Sequence, residues 1–545
     1  MKNYPIAKMR TDKDLRELIN HAKYEGRDVF RIKTKDGYEG IKHEKVLHDI
    51  NALGNALLGL GLEGKNIAVI GETSYEWIIT YFAVTCGVGV IVPIDKELPE
   101  AEIANIIDDS SAACVVYSQT FDEIFENLKG QLKTVDCYIK MNQMEELIAQ
   151  GEQKNLGYES KKIDEYAMST ILYTSGTTGK SKGVMLTHNS IVCASAGGLS
   201  LLEDGLGKVC MSVLPVHHSF ECTHGIMMMI QNGTTICIND SLRNLLPNLQ
   251  FFKPDFVFVV PLFVDMMYKK VWANIKANGK EEEMRALILK SNDLLAQGID
   301  KRAEFFGSVK DAFGGNLSLI LCGGAPLSSA LAQGFREIGI DIINGYGITE
   351  CSPLVAVNRR RCFKDGTVGL PIACNEIKIE HADEDGNGEI WVKGGNVMLG
   401  YYKNAAATAK AMCDGWFDTG DIGKIDEEGF LVISGRMKNL IVLANGKNIY
   451  PEEIEDYYMQ IPYIKEIVVF SPLVDGLNEA VLNAEIFIDE AVSVKYTKEE
   501  LTKMLEEDMK AVSKQLPFYK HVRGFKIRDK EFEKTTKKSI KRFTI

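Results

Sequence analysis

No apolar run in this 545-residue chain is long enough to cross a bilayer. The longest, Phe256 to Tyr268, is broken by Pro261 and Asp265 and falls well short of the roughly 18 residues that a spanning helix needs. No transmembrane segment is expected. The start, MKNYPIAKMRTDKDLREL, also lacks the apolar core of a secretory signal. Excess positive charge is missing too: 63 Lys and Arg against 75 Asp and Glu leave a net charge of -12. Neutralising phosphates needs a basic surface, so nonspecific nucleic-acid binding is excluded as the main role, although a local basic run extends from Lys534 to Arg542. The 12 cysteines, from Cys86 to Cys413, contain no C-x-x-C pair and no metal-like spacing. That arrangement suits free, mostly buried thiols in a reducing compartment and predicts a cytoplasmic location, with peripheral contact to a membrane left open.

The chain is too long for a single hydrophobic core, so a large region plus a smaller one is expected. Short β-branched runs alternate with longer amphipathic ones. Asn66–Ile70 reads as a strand, Trp77 to Thr85 as a helix and Val88 to Ile94 as a strand, and further strand-like runs follow at Ala113 to Tyr117, Thr170 to Tyr173, Phe256 to Val260, Leu317 to Cys322 and Ile340 to Ile343. This alternation is an α/β signature. Beyond about Cys374 the texture changes to short strands punctuated by Asp-Gly, Asn-Gly and Glu-Gly turns. After Gly435 come a strand-like LIVLANG, a helix opened by Pro451 with early glutamates, two further strands and a helix from Thr497 to Gln515. The predicted boundary lies at Gly435 to Lys438, giving a large α/β region over 1–435 and a small α+β region over 436–545.

Tyr173-Thr-Ser-Gly-Thr-Thr-Gly-Lys-Ser-Lys-Gly183 is the strongest chemical signal. Its glycines and hydroxyls leave backbone N–H groups and small donors free to surround phosphate oxygens. Gly179-Lys180-Ser181 could be mistaken for the end of a Walker A loop. That loop needs glycine at position 174, where Thr174 stands, and a helix afterwards, where GVMLTH reads as a strand. A hairpin turn without a ligand would look the same locally.

This loop resembles the phosphate-binding loop of the adenylate-forming (ANL) superfamily, which includes acyl-CoA synthetases, luciferases and peptide-synthetase adenylation domains. The likeness is greatest to bacterial long-chain fatty acid:CoA ligases and spans nearly the whole chain. It implies a large multi-lobed N-terminal adenylate-forming domain and a small mobile C-terminal domain. Thr174, Ser175, Gly176, Thr177, Thr178, Gly179 and Lys182 would then hold phosphates, with Ser181 where the family usually has proline. Gly345-Tyr-Gly-Ile-Thr-Glu350 is similar to the family's adenine and metal motif: Tyr346 would stack on the base beside Gly347, Thr349 would bond a phosphate and Glu350 would bind Mg²⁺. Gly323-Gly-Ala-Pro326 resembles the segment lining the adenine, through Gly324 and Ala325. In Asp418-Thr-Gly-Asp421 the final carboxylate would accept both ribose hydroxyls, which suits its two acceptor oxygens. Gly435-Arg-Met-Lys-Asn439 resembles the hinge motif, with Arg436 contacting the nucleotide and Lys438 at the pivot.

Leu214-Pro-Val-His-His-Ser-Phe-Glu221 resembles the long-chain form of the acyl-site motif, and His218 aligns with its histidine. Phe256 to Val271 resembles the strand, proline and helix before the acyl tunnel, with Leu262 where the family has arginine. Core packing explains these apolar residues equally well. Near the C-terminus the family's adenylation lysine falls, by either count, on Ser539. Lys538 is one residue early and is the candidate, with Lys537 or Lys541 and weakened adenylation as alternatives. The resemblance thus implies an AMP-forming acid:CoA ligase that uses ATP, Mg²⁺ and coenzyme A on a carboxylic acid, in particular a fatty acid. A ligase for an acyl-carrier protein or for aryl or short-chain acids, and a nucleotide-binding relative without turnover, are the alternatives.

Overall fold

The β-branched run Asn66–Ile70 is an inner strand of a seven-stranded sheet, whose strands follow the order Gly400–Tyr401, Lys182–Thr187, Met168–Thr174, Val90–Ile94, Asn66–Ile70, Ala112–Tyr117 and Cys137–Lys140. The computed structural model describes residues 8–174, 181–202, 206–442, 448–471, 482–534 and 540–542. The chain divides into two units, one of Met1–Ile377, Val392–Phe417 and Glu428–Phe430, the other of Lys378–Trp391, Asp418–Glu427 and Leu431–Ile545.

In the first unit, Asn66–Ile70 pairs in parallel with Val90–Ile94 and Ala112–Tyr117. Ile67, Ala68, Val69 and Ile70 are all fully buried, as expected for a parallel strand covered on both faces. Helix Tyr75–Thr85 connects the first two of these strands and is opened by Ser74, whose hydroxyl accepts the Trp77 N–H. Such a cap satisfies one of the helix's orphan donors and is worth about 1 kcal/mol. The strand predicted from Val88 starts only at Val90. Gly89 is pressed against Lys65, whose carbonyl oxygen would lie 2.1 Å from an added Cβ.

A second sheet has nine strands in the order Leu370–Pro371, Leu354–Val357, Asp341–Gly347, Leu319–Cys322, Phe256–Val259, Val209–Ser212, Thr235–Ile238, Phe30–Thr34 and Gly37–Ile41. Phe256–Val259, Leu319–Cys322 and Asp341–Gly347 run parallel, with Val259 opposite Cys322 and Cys322 opposite Asn344. Their carboxyl ends therefore share one edge of the sheet, the place where open α/β sheets take ligands. Phe306, Phe313 and Phe335 are buried beside these strands.

The second unit is built on strands Ile464–Phe470, Asn483–Ile488 and Gly524–Ile527, antiparallel then parallel. Helix Pro451–Tyr458 begins with Pro at its first position and carries Glu452 and Glu453 in its first turn, where the helix dipole favours acids. Helix Lys498–Ser513 is shorter than the predicted span at both ends: Thr497 is its N-cap, reciprocated by Glu500, and Lys514 is its C-cap. Ile454, Tyr458, Ile486 and Leu505 form the centre of this unit's core.

Candidate active site

Strand Met168–Thr174 ends opposite Lys182, the first residue of the antiparallel strand Lys182–Thr187. The glycine- and hydroxyl-rich loop is thus the connection of a hairpin. A strand follows it, where a Walker A loop would need a helix. Ser175, Gly176, Thr177, Thr178 and Gly179 lie outside the described residues. At the loop's flanks, the Thr174 hydroxyl lies 3.5 Å from the Lys182 carbonyl and the Ser181 hydroxyl donates to Glu102 at 2.7 Å.

Glu350 sits in the short turn Thr349–Cys351 after strand Asp341–Gly347. Its carboxylate accepts the Tyr401 hydroxyl at 3.0 Å, and its carbonyl accepts the Met398 N–H at 2.8 Å. The strand Gly400–Tyr401 pairs with Lys182–Thr187, and the Lys182 ammonium lies 5.0 Å from the centre of the Tyr401 ring. One aromatic side chain therefore joins the loop's lysine to the carboxylate of the GYGITE turn. A hydrogen-bonded carboxylate is a hard oxygen donor of the kind Mg²⁺ takes, so Glu350 fits the metal role chemically. Tyr346 and Gly347 close the preceding strand, and Thr349 is buried. An added Cβ on Gly347 would stand 2.4 Å from the Pro353 carbonyl oxygen, so no larger residue fits there. Gly324 and Ala325 follow the end of strand Leu319–Cys322, and Gly324 turns with φ +84, a conformation that favours glycine.

In the LPVHHSFE segment His217 is buried, with Nε2 3.2 Å from an Asp95 carboxylate oxygen at the end of strand Val90–Ile94. The His218 ring lies beside it, 4.1 Å between centroids. Asp95, His217 and His218 each bring one donor atom to within 4.8 Å of the others. Two imidazoles suit softer metals than Mg²⁺, so this cluster does not compete with Glu350 for that ion. Glu221, fully buried at the start of the π-helical turn Phe220–Met227, accepts the Ser212 hydroxyl. Burial pushes its carboxyl up to about 8.

A pH dependence follows from that shift. Below pH 4.5 Glu221 is protonated folded or unfolded; between there and about 8 only the folded chain keeps the proton, so stability falls as pH rises. The slope is about 1.4 kcal/mol per pH unit. Glu221→Gln has no proton to lose, and urea unfolding between pH 5 and 8 is expected to show a slope shallower by that amount. An unchanged slope would mean that the carboxyl is already ionised in the fold.

The second unit carries its own constellation. Asp421, on strand Trp416–Ile425, is directly opposite Arg436 on strand Leu431–Arg436. The buried Asp421 carboxylate meets the Arg436 Nε at 2.7 Å, and the Asp421 N–H donates to the Thr419 hydroxyl at 3.1 Å. Lys438 follows in the turn Met437–Asn439. Partial burial and the neighbouring Arg436 guanidinium hold its ammonium below the usual lysine range. Further on, Lys534 bridges to Ile540, the Lys541 N–H donates to the Glu533 carbonyl at 2.8 Å, and Arg542 pairs with Glu455. Lys537, Lys538 and Ser539 lie between these anchors and outside the described residues.

The pattern of the AMP-binding enzyme family matches residues 20–402, and that of the AMP-binding enzyme C-terminal domain matches 438–545. The chain belongs to the AMP-binding enzyme family. Among curated members, the chain is 31% identical over 449 residues to the long-chain-fatty-acid–CoA ligase FadD15 of Mycobacterium bovis, covering 77% of this chain and 74% of that one. It is 29% identical over 485 residues to long-chain-fatty-acid–CoA ligase 6 of Rattus norvegicus, covering 80% and 68%. Among solved structures, the anthranilate CoA ligase AuaEII in complex with anthranoyl-AMP superposes with a TM-score of 0.78 at 20% identity, covering 100% of this chain and 98% of that one. At that identity the likeness concerns the fold.

For this member of the AMP-binding enzyme family, the sequence motifs did not reveal Tyr401, Asp95 or His217. Tyr401 acts across more than two hundred residues of chain through a two-residue strand, too short to show any periodicity. His217 was in view as the neighbour of His218, yet only the fold brings Asp95 to it.

Proposed function

We propose that the protein is an AMP-forming long-chain fatty acid:CoA ligase. The observation that carries this reading is the Lys182–Tyr401–Glu350 link, which ties the flank of a phosphate-type loop to a metal-type carboxylate in a chain whose relatives are named as such ligases. A carboxylate cannot acylate a thiol directly, because its leaving group is poor. In the first step the substrate carboxylate attacks the ATP α-phosphorus in line, and pyrophosphate leaves; in the second the CoA thiol attacks the acyl-adenylate and AMP leaves. Thr174 to Gly179 and Lys182 bind the phosphates, Thr349 donates to the α-phosphate, and Lys538 approaches the charge that builds on its oxygens. Glu350 holds Mg²⁺, which when bound offsets phosphate charge. Tyr346, Gly347, Gly324 and Ala325 line the adenine, Asp421 accepts the ribose hydroxyls with Arg436 beside it, and His218 faces the acyl carboxylate. Rotation of the C-terminal region about Lys438 would let one cleft serve both steps.

Measuring AMP release with CoA across acids from acetate to palmitate and benzoate tests the reading. Turnover is expected with palmitate and not with acetate; preference for benzoate or acetate would move the protein to another branch, and ATP binding without acid-dependent pyrophosphate release would leave a nucleotide-binding relative. Tyr401→Phe removes the hydroxyl that orients the Glu350 carboxylate. Outer-shell partners of metal ligands are typically worth about 10–100-fold in metal affinity, so the Mg²⁺ concentration for half-maximal pyrophosphate exchange is expected to rise about tenfold or more. An unchanged Mg²⁺ requirement would remove Tyr401 from this role.

A further inference from the structure

Two thiols with no part in this chemistry lie side by side next to it. Cys193 is on helix His188–Leu199, which follows the strand leaving the phosphate loop, and Cys374 is in the turn just before strand Asn375–Glu380. Both are free and half-buried. The Cys374 thiol donates to the Cys193 backbone carbonyl, its sulfur 3.7 Å from that oxygen. Gly197, one helical turn on, makes the room: an added Cβ there would stand 3.2 Å from the Cys374 sulfur. Hydrogen bonding from the neighbouring Cys374 side chain holds the Cys193 thiol below its usual range, which raises its thiolate fraction and its reactivity.

The turn that carries Cys374 also braces the segment after Glu350. Asn375 donates to the carbonyls of Leu354 and Val355 at 3.2 and 3.3 Å. Asn396 donates to the same Leu354 carbonyl and to that of Cys351, each at 2.7 Å. A bond drawn between Cys193 and Cys374 would therefore pull on the backbone that sets Glu350.

We propose that Cys193 and Cys374 form a peroxide-sensitive pair whose disulfide clamps the helix after the phosphate loop to the turn behind Glu350 and slows adenylation. The effect on rate rests on the adenylation reading; the disulfide itself does not. The Cys193 thiolate attacks one oxygen of hydrogen peroxide: an S–O bond forms, the O–O bond breaks, and the departing hydroxide takes up a proton as water. The Cys374 sulfur then attacks the resulting sulfenic sulfur, the S–S bond forms, the S–O bond breaks, and a second water leaves with the Cys374 proton. The two sulfurs lose two electrons in total and the peroxide gains them. A dithiol reductant reverses the step.

Cys114 and Cys137 provide an internal comparison, since they too are neighbours, opposite one another on adjacent parallel strands. The ladder keeps such strands about 4.8 Å apart, whereas a disulfide needs its Cβ atoms about 3.8 Å apart. The hydrogen-bonded ladder on both strands opposes the closer approach that a bond in that pair would need, a constraint that a helix side chain and a turn do not share.

Tryptic cleavage isolates the proposed thiols on 183–208 and 365–378, each with a single cysteine. After peroxide treatment of the folded protein and alkylation, these two peptides are expected joined and lighter by two hydrogens, with Cys114 and Cys137 alkylated. Because a 1 Å misplacement can cost on the order of 100-fold in rate, acid-dependent pyrophosphate exchange is expected to fall at least about fivefold and to recover with dithiothreitol. Cys193→Ser should keep the untreated rate in peroxide. Absence of the joined peptide, an undiminished rate once it has formed, or an equal loss in Cys193→Ser overturns the proposal. Should the reduced protein exchange pyrophosphate with no acid, the adenylation reading fails and the peptide map alone decides the thiol pair.

Discussion

Lys538→Ala is expected to slow acid-dependent ATP–pyrophosphate exchange roughly 10²–10³-fold, the cost typical of losing one preorganised donor to a developing oxyanion. The described flanks sharpen this expectation. Lys534 is held by Glu466 and by Glu531, the latter at 2.8 Å, and pairs with Ile540. Arg542 is anchored through Glu455 and approaches the Val469 carbonyl at 3.4 Å. The five positions 535–539 lie between these anchors and outside the described residues, and the position beside Ile540 belongs to Ser539. Ser539→Lys placed on Lys538→Ala is therefore expected to restore most of the exchange, and on the native background to raise it. Lys537→Ala and Lys541→Ala are the controls. If Lys538→Ala exchanges at the native rate while one of these does not, the assignment moves to that residue; if none matters, the protein runs without a C-terminal lysine.

The same contrast shows what was legible in the sequence. Asn66–Ile70 was readable because a parallel strand buries both faces and so appears as a continuous apolar run, and Thr170 to Tyr173 was readable as the middle of strand Met168–Thr174 because the polar loop marks where it stops. The helix starts at Pro451 and Thr497 were readable because capping chemistry is local. Gly89, which delays a strand by two residues, was not, since the backbone that crowds it belongs to Lys65. The site divides along the same line. Motif residues such as Glu350 and Asp421 are visible one by one, whereas the Tyr401 and Asp95 contacts exist only after distant strands have paired. Glu221 illustrates a third case: its motif position is visible, but its raised pKa comes from burial at the start of a π-helical turn that no periodicity announces.

Asp421→Ala is expected to lower kcat/KM for ATP roughly 10²–10⁴-fold, mostly through KM. The carboxylate is 3% exposed and already bonded to Arg436 at 2.7 Å, so it is preorganised to accept from a vicinal diol. A hydrogen bond to a charged acceptor is worth about 1.5–3 kcal/mol, and two of them account for the expected loss. Because the substitution also strands the Arg436 guanidinium, rate alone would not separate ribose binding from local damage. The comparison of ATP with 2′-deoxy-ATP does. The native protein should discriminate between them about 10-fold or more, as one charged hydrogen bond requires, and the variant hardly at all. Equal discrimination in both would place the ribose elsewhere, since a contact that Asp421 makes to the 2′-hydroxyl must vanish with either partner.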